Sequence, residues 1–221
     1  MKKYFLLTVL IFTAIFAAQA QETSYKINFL HLESGINLSQ FDFSNSDEET
    51  VFINSTYSPS QHQAISVGFS LNGDLDLVLA AAYDKHQVIG KSIDMSNSHL
   101  SYDLNYVSTS LGLEYAFPIK QKISLLLNGD VSYNYLISGF QHIGSATYNL
   151  ADSDFQDNTY GYRLGGGLLF QMTDATGIYL KYVWNNTMDM KEGEQANESY
   201  KLTSYVYSLG IRFDLVNSLK K

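Results

Sequence analysis

The sequence predicts an all-β fold: an eight-stranded antiparallel up-and-down transmembrane β-barrel. Three observations support this prediction. Apolar residues alternate with small or polar ones over stretches longer than the roughly five or six residues of an ordinary soluble strand. Eight such stretches are joined alternately by short turns and by long polar segments. Aromatic side chains also collect at both ends of the apolar faces, as they do in membrane barrels.

The chain begins with a segment typical of a secretory signal peptide. Met-Lys-Lys at residues 1–3 precedes an apolar run from Tyr4 to Phe16, and Ala-Gln-Ala at residues 18–20 forms a small-x-small cleavage site. The apolar run is short for a membrane helix, which needs about 20 residues. We therefore expect residues 1–20 to be a signal peptide and residues 21–221 to form one outer-membrane β-barrel domain.

Composition excludes several classes of protein. The chain has 14 Lys and Arg against 22 Asp and Glu, a net charge of −8, which argues against a nucleic-acid partner. It has no cysteine, which excludes a disulfide scaffold and thiolate zinc sites. No run of 18 apolar residues follows residue 20, so only a closed barrel would satisfy the backbone inside a bilayer.

The alternation is clearest in the fourth and fifth strands. From Val107 to Phe117 the apolar side chains occupy the odd positions, and small or polar residues fill the even ones. After a turn at residues 118–122, the odd positions from Ile123 to Tyr135 are again mostly apolar. A period of two is the mark of a β-strand with one apolar face.

The other strands follow the same rule. The first strand covers residues 29–39, and a phase slip is expected before Phe41 and Phe43. Asn72-Gly73-Asp74 joins the second and third strands and is a strong hairpin signal, because glycine supplies the positive φ of a tight turn. The sixth and seventh strands join at residues 173–177, and the last strand runs to Phe213. Four long polar loops are predicted at residues 44–61, 86–101, 138–158 and 187–202.

The three short turns place all the short connections at one rim and all the long loops at the other, as in outer-membrane barrels. Residues directly opposite in a hairpin share a face, so turn positions also predict register. Turns centred on Gly73, Lys120 and Ala175 predict three apolar pairs: Phe69 with Leu77, Tyr115 with Leu125, and Phe170 with Leu180.

The alternative architecture is a soluble barrel of lipocalin type with its apolar face turned inward. The polar faces of the sixth and eighth strands carry glycine, serine and single charges, which suits the interior of an eight-stranded barrel better than a water-facing surface. The aromatic residues form two predicted girdles. Tyr115, Phe117, Phe170 and Phe213 lie toward the short-turn rim, and Tyr83, Tyr135, Tyr160, Tyr162, Trp184 and Tyr205 lie toward the long-loop rim. We favour the membrane barrel.

With this strand count, loop asymmetry and aromatic last strand, the chain from Ile27 to about Leu215 resembles the small outer-membrane β-barrel family of OmpA/OmpX type, which includes porin-like β-barrel domain proteins. The resemblance implies the outer membrane of a diderm bacterium, contact with outer-membrane lipid and lipopolysaccharide, and recognition by the barrel-assembly machinery. The family's assembly signal usually ends on a C-terminal aromatic residue. Here eight residues follow Phe213, so the pattern from Tyr205 to Phe213 is expected to be read internally.

Six charged residues fall on the polar, lumen-facing sides of the strands. Leaving such a charge unpaired in a low-dielectric interior costs several kcal/mol, so they must pair or be hydrated. We interpret them as a structural plug that ties strands together across the lumen; the alternative is a gate on a narrow path for water or ions. The residues are Glu33, Glu114, Asp130, Arg163, Lys181 and Arg212.

No catalytic site is predicted. His99-Leu100-Ser101 loosely resembles the His-x-Ser of outer-membrane lipid A deacylases, in which serine is the nucleophile and histidine its base. That chemistry needs an acid on the same outer face, and alternation points Glu114 inward.

No metal or cofactor is predicted either. The acidic segments at residues 47–49 and 152–157 lack the full calcium-loop pattern, and solvated loops explain them better than a cation site. No metal-ligand spacing links the five histidines, which are His31, His62, His86, His99 and His142.

Two functions remain open from the sequence. The first is a structural or interaction role through the four long external loops, with both termini in the periplasm and an envelope partner that the sequence does not name. The second is a narrow porin-like channel for water, ions or small solutes. Loops of this length are often functional, which favours the first.

Overall fold

A computed structural model describes residues 27–72, apart from 45–51, and residues 74–215, apart from 93–98, 151–157, 189 and 192–198. The predicted signal peptide, residues 1–20, lies outside these ranges, and so do the acidic residues at 47–49 and 152–157. None of the described residues belongs to a helix long and apolar enough to cross a membrane.

Eight long strands form a closed antiparallel barrel, as predicted. They pair in the order β1-β2-β3-β4-β5-β7-β8-β10, and β10 pairs with β1 to close the sheet. The short strand β6 pairs with β5, and β9 pairs with β10. The strands are β1 (Ile27–Ser44), β2 (Phe52–Asn72), β3 (Leu75–Ser92), β4 (His99–Lys120), β5 (Ile123–Ile143), β6 (Ala146–Asn149), β7 (Asn158–Thr173), β8 (Thr176–Thr187), β9 (Met190–Lys191) and β10 (Ser199–Asp214).

The stagger of the strands follows from one row of paired residues. The row leaves β5 at Leu125, passes once around the barrel and returns to β5 at Tyr135, a shift of 135 − 125 = 10 residues. With about 3.3 Å per residue and about 4.8 Å between strands, this shift corresponds to a tilt of roughly 40°. Outer-membrane barrels have tilts in this range. The residues between are Leu168, Leu180, Leu209, Ser34, Gln63, Tyr83 and Val107.

The apolar faces predicted from alternation point away from the lumen. Leu111 and Leu168 are 48% and 52% exposed, whereas the neighbouring inward residues Ser110 and Leu169 are buried. A lipocalin-type barrel would show the opposite arrangement, with the leucines inside. The wall therefore presents a hydrocarbon-compatible surface, as the membrane barrel requires.

The predicted register is correct in one hairpin and wrong in two. Phe69 pairs with Leu77 as predicted. Tyr115 pairs with Leu127, and Phe170 pairs with Ile178. The turns are centred between residues 121 and 122 and between residues 174 and 175, not on Lys120 and Ala175, and together with a one-residue register shift beside each turn this displaces both pairings by two residues. Because the displacement is even, every side chain stays on its predicted face.

The predicted long loops are wrong over most of their length, because the strands continue far beyond the expected ends. β2 begins at Phe52, β3 runs to Ser92 and β5 runs to Ile143. The predicted phase slip before Phe41 is also wrong, since β1 and β10 stay in unbroken register from Phe29 to Ser44.

These ends of the strands were not predicted because their apolar residues lie on the inner face, whereas the apolar residues of the predicted parts lie on the outer face. On β4, Leu100, Leu104 and Tyr106 are buried inside the barrel, whereas Leu111 and Leu113 farther along the strand face outward. The period of two is kept, but the apolar residues move from the outer to the inner face. A search for one continuous apolar face therefore ends near residue 107.

These inward-facing residues pack together inside the barrel at its long-loop end, and we call them the outer apolar cluster. It lies beyond the outward aromatic residues on the same strands, since Val88 lies five positions past Tyr83 and Leu202 three positions past Tyr205. The strands thus extend beyond the ring of outward aromatic residues, and this extension of the barrel has its own apolar core. The cluster contains Phe41, Val88, Leu100, Leu104, Tyr106, Leu136, Leu150 and Leu202.

We predict that Leu104→Ala destabilises the barrel by about 2–5 kcal/mol, because it opens a hole in a packed core. Leu111→Ala is the control on the same strand, and we expect a smaller loss there because lipid or detergent refills the contact. Urea unfolding, followed by the mobility of folded and unfolded protein on unheated gels, measures both. Equal losses would show that the long-loop end has no core.

Candidate functional site

The lumen holds a polar cavity of about 50 Å³ between residues of all eight long strands. Alternation directs these side chains inward, because they share a face with the glycines and serines of the same strands. All of the predicted lumen charges except Arg212 line the cavity. Its other polar residues include His62, Asp84, Asn128 and Asn185.

The structure brings the six predicted charges into two groups. In the first, the Arg163 guanidinium donates through Nε to Asp130, at 2.5 Å, and through Nη2 to the Ser110 hydroxyl. In the second, Lys181 Nζ lies 3.6 Å from Glu33 and 3.5 Å from Glu114. Arg212 Nη1 lies 3.5 Å from the other oxygen of Glu114, and its Nε donates to Asp214 at 2.7 Å.

Sequence reasoning missed a third group, centred on His62. Nδ1 of the ring lies 2.6 Å from Asp84, and Nε2 lies 2.9 Å from Glu33. A carboxylate only accepts hydrogen bonds, so an imidazole held by two carboxylates donates from both nitrogens and is positively charged. His62 was missed because it lies just after a stretch predicted as loop. Asp84 could have been found, because it lies on the same face of β3 as Asp76 and alternation therefore places it in the lumen.

An aromatic stopper closes the short-turn end of the cavity. The His31 ring lies between Phe29 and Tyr179, with ring centroids 4.1 Å and 4.7 Å apart. Tyr179 packs on Leu126 and Leu169 and donates its hydroxyl to Glu33 at 2.9 Å. We define the aromatic stopper as these five residues.

Two glycines make room for the stopper. The Phe29 ring lies directly over Gly68 and the Tyr179 ring directly over Gly210, and a Cβ at either glycine would overlap the ring. The Arg212 guanidinium covers the Phe29 ring at 3.9 Å, which links the stopper to the charged groups above it.

A polar layer and the outer apolar cluster close the opposite end. His86 Nδ1 lies 2.8 Å from the Ser39 hydroxyl and 3.1 Å from the Asn37 amide. The Tyr106 ring, a member of the outer apolar cluster, meets the His86 ring edge-on at 5.6 Å. The lumen is therefore layered as aromatic stopper, charged cavity, histidine layer and apolar cluster.

The ten predicted girdle residues all face outward. Tyr115, Phe117 and Phe170, near the short turns, are 39%, 52% and 46% exposed. On the long-loop side Tyr162 and Trp184 touch at a centroid distance of 5.5 Å. The remaining outward residues are Phe213 near the short turns and Tyr83, Tyr135, Tyr160 and Tyr205 on the long-loop side.

The His99-Leu100-Ser101 segment gains no acid partner from Glu114, which is buried on the inner face. On the outer face, His142 lies opposite Ser101 and its Nε2 is 3.4 Å from Asp103. His142 Nδ1 is 3.0 Å from the Thr147 hydroxyl, so the ring bridges β4 and β6. Within the described ranges no group of three or more His, Cys, Asp and Glu residues is placed to hold a metal ion.

Comparisons with known proteins agree with this architecture. A family model described as "Outer membrane protein beta-barrel domain" matches residues 7–213. No curated protein matches the sequence.

Solved structures of three outer-membrane proteins are similar in fold. Neisserial surface protein A is 14% identical, with a TM-score of 0.53 over 87% of this chain and 100% of its own. OprG from Pseudomonas aeruginosa is 12% identical, with a TM-score of 0.51 over 86% and 97%. The outer membrane protease OmpT from Escherichia coli is 10% identical, with a TM-score of 0.50 over 88% and 99%. At such low identity the likeness concerns the fold alone.

We predict strong coupling between Arg163 and Asp130. Arg163→Met or Asp130→Leu alone should cost about 3–5 kcal/mol, because each leaves a buried charge without its partner. The double variant should lose clearly less than the sum of the two single losses. Urea unfolding of the four proteins in phospholipid vesicles measures the cycle.

The half-exposed pair His142 and Asp103 is the control for this cycle. Its contact is longer, at 3.4 Å, and reaches water, so Asp103→Asn should change the free energy of unfolding by less than about 1 kcal/mol. Additive losses for Arg163 and Asp130 would contradict a cross-strand ion pair in the lumen.

Proposed function

The chain belongs to the outer membrane protein β-barrel family, and from this premise we propose that it is a sealed barrel with a structural or interaction role at the cell surface. The observation that carries the proposal is the layered lumen. Its cavity of about 50 Å³ has room for only about three to five water molecules and lies between the aromatic stopper and the outer apolar cluster. A porin-like path would need water along the whole axis.

In this proposal the six lumen charges are a structural plug. Glu33 on β1 meets Lys181 on β8 and His62 on β2, and His62 in turn meets Asp84 on β3. The Arg163 and Asp130 pair joins β7 to β5. These contacts cross the lumen or link neighbouring strands by side chains, in addition to the backbone ladder, and resist distortion of the barrel.

The region beyond the outer aromatic residues supports an interaction role. There the wall still exposes apolar side chains, since Ile89, Phe140 and Tyr148 are 39%, 40% and 53% exposed. Exposed aromatic and branched residues outside a lipid-facing band are typical of contact surfaces. The proposed partner is another envelope component or an outside surface.

We further propose that the two sets of outward aromatic residues lie at the two membrane interfaces, in contact with outer-membrane lipid and lipopolysaccharide. Residues 1–20 would direct export, and residues 205–213 would serve as the signal for the barrel-assembly machinery. The alternating aromatic pattern of β10 and its outward apolar face support this role.

We predict no conductance steps for the purified barrel in planar bilayers. Arg212→Met should lower the melting temperature by about 5–10 °C, because Glu114 and Asp214 lose a cation, while conductance stays at zero. Calorimetry and single-channel recording on the same preparation test this. A large conductance change with unaltered melting would overturn the plug and favour a gated narrow channel.

A photo-crosslinking amino acid at Phe140 or Ile89 should give discrete protein adducts in intact outer membranes, because both side chains point outward beyond the lipid-facing wall. The same amino acid at Leu168, on the lipid-facing wall, is the matched control and should give lipid adducts only. Immunoblots of irradiated membranes show the difference. The same adduct pattern at all three positions would contradict a contact surface beyond the membrane.

A further inference from the structure

Two polar side chains interrupt the apolar outer wall where β1 and β2 run side by side. Ser34 on β1 and Gln63 on β2 point outward, are exposed and lie directly opposite each other. Their outward neighbours on the same strands, Leu32 and Ile65, are apolar and exposed as well. We call Ser34 and Gln63 the wall patch.

The wall patch lies between the two sets of outward aromatic residues. In the row of paired residues that climbs around the barrel from Leu125 to Tyr135, Ser34 is the fourth residue after Leu125 and Gln63 the fifth of eight. Ser34 is therefore halfway up the lipid-facing wall, and Gln63 stands about 3 Å higher. At this depth the Gln63 side chain faces hydrocarbon.

The Gln63 amide has no partner on its own barrel. Ser34 lies opposite it on β1 and Tyr83 on β3, and Tyr83 donates its hydroxyl to Asn105 at 3.0 Å. Among the described residues, none forms a side-chain hydrogen bond with Gln63. An amide without a partner is costly in hydrocarbon, because there is no water to bond with it.

A carboxamide is complementary to a second carboxamide. It carries one acceptor oxygen and two N–H donors, so two amides that face each other exchange two hydrogen bonds. Outer-membrane barrels share one orientation, with their short turns in the periplasm. A two-fold axis along the membrane normal therefore brings residues of equal depth together, and Gln63 meets Gln63 of a second copy.

The side chains around Gln63 are small enough for two walls to approach. Ser34 lies beside it, and Ala81, diagonal to it on β3, is exposed. On the other side of the barrel the outward residues at a similar depth are larger and apolar, as Leu164 and Val131 show. Contacts within a membrane depend on close packing and hydrogen bonds, because lipid chains are as apolar as leucine.

We propose that the wall patch is the contact surface for a second copy of this chain in the outer membrane. The two Gln63 amides pair on the two-fold axis, and Ser34 of each copy lies next to them. The region beyond the outer aromatic residues stays free for an envelope partner. The inference rests on the membrane position of the two aromatic sets proposed above, and it does not depend on a sealed lumen.

The first test measures association in phospholipid vesicles. Copies labelled with donor or acceptor dye at Gln121→Cys, on a short turn of a chain without natural cysteine, are mixed and diluted with lipid. We expect energy transfer that falls with dilution along a dimer curve. Gln63→Leu should raise the dissociation constant at least about tenfold, because the paired amides are lost.

Thr109→Leu is the matched control, since it removes an outward polar group at a similar depth on β4. It should leave the dissociation constant unchanged. Absence of energy transfer, or equal constants for Gln63→Leu and the unaltered chain, would overturn the proposal and leave Gln63 facing lipid.

Urea unfolding at high lipid dilution separates lost association from lost folding. Gln63→Leu should unfold at the same or a higher urea concentration than the unaltered barrel, because leucine suits hydrocarbon better than an amide. A lower midpoint would show that Gln63 has a partner within its own barrel, which contradicts the contact.

The second test uses intact outer membranes. Gln63→Cys, treated with iodine to oxidise thiols inside the bilayer, should give a product of twice the monomer mass on non-reducing gels. Leu164→Cys, at a similar depth on the far side of the barrel, should stay monomeric. Equal dimer yields at both positions would indicate random collision and contradict a specific contact.

These tests separate this inference from the sealed barrel. If the lumen conducts, single-channel recording shows steps while the association of Gln63 is unchanged. If the wall patch is not a contact surface, the barrel stays silent in the bilayer and energy transfer is absent.

Discussion

The pairing of β10 with β1 is the contact on which the rest of the structure depends. It runs without a shift from the pair Phe29 and Asp214 to the pair Ser44 and Ser199, and it leaves the main wall of the barrel without a free edge. In hydrocarbon an open edge would leave amide and carbonyl groups without partners, at a cost of several kcal/mol each. Closure therefore comes first, and the contents of the lumen follow from it.

Closure at eight strands leaves an interior that side chains must fill, and alternation supplies that interior with polar residues. Buried charges are tolerated when geometry pairs them, as Arg163 and His62 show with their close carboxylates. Aromatic rings seated on Gly68 and Gly210 complete the filling near the short turns. The lumen is thus assembled from layers whose polarity changes along the axis.

Much of the fold was predictable because alternation shows which side chains of a strand lie on the same face. Strand number and the inward direction of Glu33, Glu114 and Arg163 follow from parity, which register errors of two residues do not disturb, and closure follows from the need of the backbone for partners in a bilayer. The long-loop half was not predictable in the same way. From Leu100 to Tyr106 apolar residues point inward, and beyond Val107 they point outward, so one strand reads as two unrelated patterns. His62 and Asp84 keep the register of the correctly predicted pair Phe69 and Leu77, and the contact was missed because the second strand was expected to begin only after His62.

The outer apolar cluster also imposes an order of events. Leu104, Leu136 and Leu202 come from three different strands and meet only when the strands stand side by side. Because β10 is the last long strand of the chain, the cluster is complete only after β10 has paired. Once packed, these side chains brace β4, β5 and β10 against one another from inside the barrel at the long-loop end.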